Sequence, residues 1–189
     1  MKVSKEKAAE NREMILDAAS RLFREKGLSE VGVGTLSEAA GLTHGSVYSQ
    51  FGSKEKLMTE AMKHAFTKNA ARAIETPGLR ETLDYYLSAI HRDRLGRGCV
   101  IAALGCEMPR QSRSVRKTFT EGLQRNVARI GAKLGKRDKR SQEDDAIALF
   151  AAMVGTLVLA RAVDDPQFSN RILAASHRRL LDDFQGQAA

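Results

Sequence analysis

Apolar positions recur three and four residues apart along most of the chain, and no stretch alternates in the manner of a strand. Between Lys5 and Lys26, the residues Ile15, Leu16, Ala19, Leu22 and Phe23 share one helical face, and Gly27 reads as the residue that ends that helix. A short second helix is expected to begin at Thr35, where Thr35-Leu36-Ser37-Glu38 has the form of a capping box. It would turn Leu36, Ala39 and Ala40 inward and Ser37 to solvent, and stop at Gly41. Thr43 can cap a third helix, HGSVYSQF, which ends near Gly52. Ser53 then caps a fourth, with Glu55 in its first turn, running through Leu57, Met58 and Ala61 to about Ile74.

The same periodicity continues to the end of the chain. Thr76-Pro77 predicts a new helix over 77–92, with Leu79, Leu83, Tyr86, Leu87 and Ile90 inside. A turn at Gly96 to Gly98 precedes an apolar helix from Cys99 to about Met108, closed by Pro109. A basic amphipathic helix is expected over 112–134, buried through Val115, Phe119, Leu123, Val127 and Ile130. Residues 135–142 read as a loop, Ser141 with Asp144 as a further capping box, and 145–162 as a nearly uniform apolar helix. Asp165-Pro166 starts a last helix that ends near Phe184. The expected fold is all-α, with about nine helices. Residues 1–62 form a three-helix domain with a helix-turn-helix, and residues 63–189 a second helical domain.

Composition sharpens this picture only in part. Three prolines agree with a helical chain, and two cysteines are too few for a disulfide framework. With no run of 18 or more uncharged apolar residues and no apolar leader, a cytoplasmic protein is expected, without membrane attachment. The net charge of +8 suggests an acidic partner. Its distribution does not locate one. Residues 1–60 hold nine basic and nine acidic side chains, whereas 110–140 hold eleven basic and two acidic.

The chemistry lies in the second and third helices. Two short helices joined at Gly41, with small residues at the crossing, are the parts of a helix-turn-helix. Thr43, His44, Ser46, Ser49 and Gln50 present short polar groups suited to base edges, and Gly45 lets the backbone approach closely. Val47 and Phe51 alternate with them as buried anchors. Tyr48 and Lys54 suit phosphates. A merely solvated helix would carry more Glu, Lys and Arg.

These residues also carry a resemblance. The stretch ILDAASRLFREKG…VGTLSEAAGLTHGSVYSQFGSKEKLMTEAM resembles the DNA-binding domain of the TetR family of bacterial regulators, over about residues 10–62. The match includes Leu22-Phe23, Glu38-Ala39-Ala40-Gly41, Val47-Tyr48, Phe51 and Ser53-Lys54-Glu55-Lys56-Leu57. Leu36-Ser37 departs mildly from it, since the family often has isoleucine and alanine there. The resemblance implies that positions 43–50 enter the major groove while Thr35, Tyr48 and Lys54 hold the backbone. It further implies a repressor, a homodimer on a palindromic double-stranded operator, released by a small-molecule effector; an activator of the same architecture is the runner-up. The dimer would form through the helices near 145–162 and 166–184. The small residues Ala151, Ala152, Gly155 and Ala160 permit that close contact, though they equally permit burial within one chain.

The effector site is less legible. Tyr86, Cys99, Met108, Phe119, Phe150 and Met153, with Tyr85, are candidate lining residues. At helical spacing such residues also serve as plain core. Cys99 and Cys106, seven residues apart, are expected on one side of a helix, either as core or with Cys99 as an electrophile sensor near Arg97. Four scattered histidines share no ligand spacing, so neither a metal nor another cofactor is expected. The basic residues Arg110, Arg113, Arg116 and Lys117 read as a solvated face, with an anionic effector or a supplementary DNA contact as alternatives. An enzyme using Cys99 as nucleophile lacks a companion base, and catalysis is not expected. A helical scaffold protein is the remaining rival.

Overall fold

The computed structural model describes residues 4–74, 77–135 and 138–185. Ser4 caps the first helix, α1 (Lys5–Lys26), by accepting the Lys7 N–H at 3.1 Å, and Gly27 closes it at φ 87°. Helices α2 (Val33–Ala39) and α3 (His44–Phe51) follow, with Gly41 at φ 66° making the turn between them. The next helix, α4 (Lys54–Ile74), starts as expected, with the Lys56 N–H donated to Ser53 Oγ at 3.1 Å. Then come α5 (Leu79–Tyr86), α6 (Ala89–Asp93), a 3-10 turn (Leu95–Arg97), α7 (Val100–Leu104) and a second 3-10 segment (Gly105–Arg110). Three long helices end the chain: α8 (Arg113–Gly131), α9 (Lys139–Ala162) and α10 (Pro166–Gln185). The fold is all-α, with no strand among the described residues.

Several local expectations need correction. Helix α2 begins at Val33 behind Gly32, so Thr35 lies inside it, exposed, and its capping box does not form. Ser37 is buried, donating its hydroxyl to the Gly34 carbonyl at 2.8 Å, while Ala39 faces solvent. The helix expected over 77–92 breaks at Leu87 because Ser88 caps a new start, accepting the His91 N–H at 3.1 Å. That break turns Ile90 outward, 59% exposed. The Thr76 cap falls outside the described residues. Past Gly105 the chain tightens into 3-10 geometry, so Cys106 is exposed while Cys99 is buried, and the two thiols do not share a face. Asp138, not Ser141, caps α9, accepting the N–H groups of Arg140 and Ser141 at 3.1 Å.

The buried apolar side chains form one cluster that runs from Ile15 to Leu181. Helix α4 passes residue 62 without interruption and packs on both α1 and α8. Helices α8, α9 and α10 pack in sequence, and α5 lies on α10. Within α9, the segment Arg140–Ala162 is long and apolar enough to cross a membrane by length and composition alone, its most apolar 18 residues having a mean hydropathy of 1.7. In the fold, Leu149, Met153 and Leu157 bury one side of it against α8 and α10. Its other side leaves Ile147, Ala151, Ala152 and Leu159 exposed, next to Phe168 of α10.

Gly122 sets the crossing of α4 and α8. A Cβ at that position would overlap the Phe66 ring, which is itself buried. Helix propensity alone would favour Gly122→Ala by about 0.5–1 kcal/mol. The clash reverses the sign, and the variant is expected to lose about 1–3 kcal/mol in a denaturant titration. Adding Phe66→Leu should recover most of that loss; an unchanged or more stable single variant would place the α4–α8 contact elsewhere.

Candidate nucleic-acid interface and effector cavity

Helix α3 is seated by Val47 and Phe51, both essentially buried. That anchoring turns Thr43, His44, Gly45, Tyr48 and Ser49 outward, with Tyr48 half-exposed at 50%. The face is already ordered. The His44 and Tyr48 rings stack at 5.6 Å with 15° between planes, Thr43 Oγ1 and Ser46 Oγ lie 2.9 Å apart, and Ser49 Oγ donates to the Ser46 carbonyl at 2.9 Å. Thr43 occupies the cap position without making a side-chain cap bond. Around Gly45 nothing lies within 4 Å of a built Cβ, so the backbone there is open to approach. Thr35 is exposed on α2, and half-buried Lys54 donates to the Ser29 carbonyl at 3.4 Å. Gln50 behaves differently from its neighbours. It is half-buried, and its amide donates to the Ala8 carbonyl of α1 at 2.9 Å.

Two clasps hold α1 against the helices behind this face. Arg12 donates to the Gln50 carbonyl at 3.0 Å, pairs with Glu60 and lies over the Phe51 ring at 4.4 Å. Sequence reasoning missed Arg12, because its partners stand 38 and 48 positions away and nothing local marks it. The second clasp joins Asp17 of α1 to α4, through Lys68 Nζ at 2.6 Å and His64 Nε2 at 2.7 Å. Burial pushes the Asp17 carboxyl up, but the hydrogen bonds from Lys68 and His64 outweigh it and hold the group below its ordinary 3.8.

A cavity of about 100 Å³ lies between α5, the 97–99 segment, α8 and α9. Of the candidates for an effector site, Tyr85, Tyr86, Cys99, Phe150 and Met153 line it. Met108 and Phe119 do not. Met108 is buried in the second 3-10 segment, and Phe119 is half-buried, nearest the Gly105 backbone. The cavity also gathers Arg97, expected beside Cys99, with His91 and with Asn69, Asn126, Arg129 and Lys133, which the sequence reading passed over. His91 is buried and spoken for: its Nε2 accepts the Cys99 N–H at 3.0 Å, so Nδ1 carries the proton and donates to the Tyr86 carbonyl at 2.7 Å. Burial pushes the Tyr86 phenol well up, the neighbouring Cys99 adds to this, and Arg161 opposes it. Separately, a wider apolar groove of about 1030 Å³ runs between α8 and α9, past Leu123, Val127, Ala146 and Val154.

The wall of the cavity is tied to the helices below. The Gly98 carbonyl accepts from Asn69 of α4 at 3.1 Å and from Arg24 of α1 at 3.5 Å. Further along the same segment, the Glu107 carboxylate accepts the Leu28 N–H at 3.0 and 3.2 Å, just past α1. Ser112 and Ser114, at the start of α8, donate to Glu55 in the first turn of α4.

Residues 15–61 match the family described as bacterial regulatory proteins, tetR family. The likeness to the TetR family in sequence lies in this segment, about a quarter of the chain. It is similar to the HTH-type transcriptional regulator AcrR of Shigella flexneri, 42% identical over 57 residues, which are 30% of this chain and 26% of AcrR. It is also similar to the HTH-type transcriptional regulator TtgR of Pseudomonas putida, 33% identical over 75 residues, 39% of this chain and 36% of TtgR. The matched stretches thus span about a quarter to a third of these relatives. In fold the likeness extends over nearly the whole chain. A TetR-family regulator from Agrobacterium tumefaciens superposes with a TM-score of 0.78 at 20% identity, covering 94% of this chain and 98% of that one. Reduced NemR from E. coli gives 0.76 at 20% identity, covering 90% and 95%.

Within the TetR-type segment, the Asp17 clasp has a testable pH signature. A carboxyl held below 3.8 stabilises the fold above that value, and the contribution is lost as pH falls through the folded-state value. Asp17→Asn is therefore expected to lower the melting temperature at pH 6 and to make no difference once the pH lies well below 3.8. A melting difference that stays constant from pH 6 to pH 2.5 would show that the clasp is not ionic.

Proposed function

We propose that this chain is a DNA-binding transcriptional regulator, a repressor that leaves its operator when a small molecule binds. The observation that carries the reading is the outward face of α3, where Thr43, His44, Gly45, Tyr48 and Ser49 stand ordered on a buried base. That face falls inside the TetR-family match at residues 15–61. In this reading Tyr48 and Lys54, with Thr35, grip phosphates, while Thr43, His44, Ser46 and Ser49 meet base edges. Gln50 serves as the strut between α3 and α1. Such a protein would act in the cytoplasm, where the chromosome is, and would do no chemistry of its own.

A palindromic operator requires two copies, placing recognition helices about 34–36 Å apart in successive major grooves. The uncovered side of α9, with Ile147, Ala151, Ala152 and Leu159, and the adjoining Phe168 of α10 supply an apolar surface for a two-fold partner. The division into a DNA-binding part, 1–62, and an effector and dimerisation part, 63–189, fits this scheme, with α4 as the shared member. The effector would sit against Tyr86, Cys99, Phe150 and Met153. Displacing the 97–99 wall would pull on Arg24 and Asn69 through Gly98, and so change the spacing of the two recognition helices.

A gel shift on the DNA upstream of the protein's own gene, at two salt concentrations, tests this. Specific retention that weakens steeply with salt is expected. Tyr48→Phe and Lys54→Ala should weaken binding to all sequences alike. Changes at His44 or Ser49 should instead alter sequence preference, by about 1–3 kcal/mol per base contact. If all four variants bind as the parent does, α3 is not the reading helix.

A further inference from the structure

The cavity between α5, α8 and α9 is chemically lopsided. Its apolar side is made by Tyr86, Ile130, Phe150 and Met153, all buried. The lining also holds three cations, Arg97, Arg129 and Lys133, and none of the described lining residues is Asp or Glu. Burial pushes the Arg129 guanidinium down, and Arg125 beside it adds to the effect; Arg129 donates a hydrogen bond to the neutral Asn126 Oδ1 at 3.3 Å. Lys133 is likewise pushed down by burial, with Glu81 near enough to offset part of this. A half-desolvated cation beside an apolar wall is stabilised by any anion that can enter with it. The second mark is Tyr86. It is more than nine-tenths buried, with the Cys99 side chain close by, and its hydroxyl has no hydrogen-bond partner among the described residues. An enclosed donor of this kind carries an unoffset desolvation cost that a ligand acceptor would relieve.

Size narrows the class further. A volume of about 100 Å³ is below the roughly 150 Å³ of a cavity known to admit benzene, and well below pockets for drug-sized ligands. A polyphosphate, a nucleotide or a long acyl chain would not fit. We infer that this cavity binds a small organic carboxylate with a short chain, its charge held by Arg129 and Lys133 and its body laid against Phe150 and Met153. Tyr86 donates to the carboxylate or to a polar substituent beside it. The inference rests on the cavity being the effector site, and it adds what kind of molecule the effector is.

The test uses the full chain, by calorimetry and thermal shift, with propionate, butyrate and isobutyrate against propionamide, butyramide and isobutyramide, and with inorganic phosphate. At least one carboxylate should bind, its amide about tenfold more weakly or less, and phosphate should give no shift. Arg129→Gln should weaken that carboxylate about tenfold, Arg129→Lys by much less, and Tyr86→Phe by a few-fold. If Arg129→Gln does not fold, Lys133→Gln takes its place. Equal binding of acid and amide, no binding by any of the three acids, or an unaltered affinity in the folded variants overturns the inference. Phosphate binding at the same site would mark a general anion site and overturn it too. Gel shifts separate this from the reading beneath it. A carboxylate that binds by these criteria but leaves DNA retention unchanged defeats effector release and not the ligand class; release by a neutral ligand alone does the opposite.

Discussion

The backbone carbonyl of Gly98 is the point on which the arrangement of helices depends. It takes one hydrogen bond from α1 and one from α4, and its own residue sits where α6 and α9 also converge. A Cβ there would stand 2.8 Å from the Arg161 guanidinium, 3.1 Å from His91 Nε2 and 3.2 Å from the Arg94 carbonyl. Without it, Arg161 reaches across from α9 to the carbonyls of His91 and Arg92 at 2.9 and 3.0 Å, at the end of α6. Burial pushes the Arg161 guanidinium down, with Cys99, Tyr86 and Asp93 opposing. Two orphan carbonyls at a helix terminus and one desolvated cation thus satisfy each other.

Helix α4 carries the consequences of that junction in both directions. Its first turn is held by Ser112 and Ser114 through Glu55, its middle by Asp17 and by Gly122 against Phe66, and its later part by the Asn69 amide on Gly98. A helix fixed at three levels moves as a rod rather than bending locally. In the proposed scheme a change in the cavity wall would reach α1 and α3 through this helix, because close-packed interiors transmit displacement. The shared apolar cluster points the same way, since no gap separates the lower helices from the upper ones.

Much of this was legible from sequence, and the failures have physical causes. The bounds of α1 and α3 and the start of α4 followed from the spacing of Ile15, Leu22, Val47 and Phe51 together with Gly27, Gly52 and the Ser53 cap. Caps elsewhere misled. Thr35-Leu36-Ser37-Glu38 has the right letters, but Gly32 opens the helix earlier, and Asp138 likewise precedes Ser141. Pattern alone cannot rank two competing starts. Of the residues expected near an effector, Tyr86, Cys99, Phe150 and Met153 converge, whereas Phe119 and Met108 belong to the surrounding core. Arg129 and Lys133 were invisible because long cations on an amphipathic helix read as a solvated surface. Only the folded arrangement brings them to the cavity shared with Tyr86, Phe150 and Met153.

The stacked His44 and Tyr48 rings and the Thr43–Ser46 hydroxyl pair bear on the entropy of recognition. Side chains free in solution give up rotamer freedom when they dock, at about 0.5–1.5 kcal/mol for each one immobilised. Here the rings restrain each other before any partner arrives, and Ser49 is restrained by the Ser46 carbonyl. A surface prepared in this way loses little disorder on contact. Its discrimination between partners then depends on shape and hydrogen-bond match rather than on how readily it can rearrange.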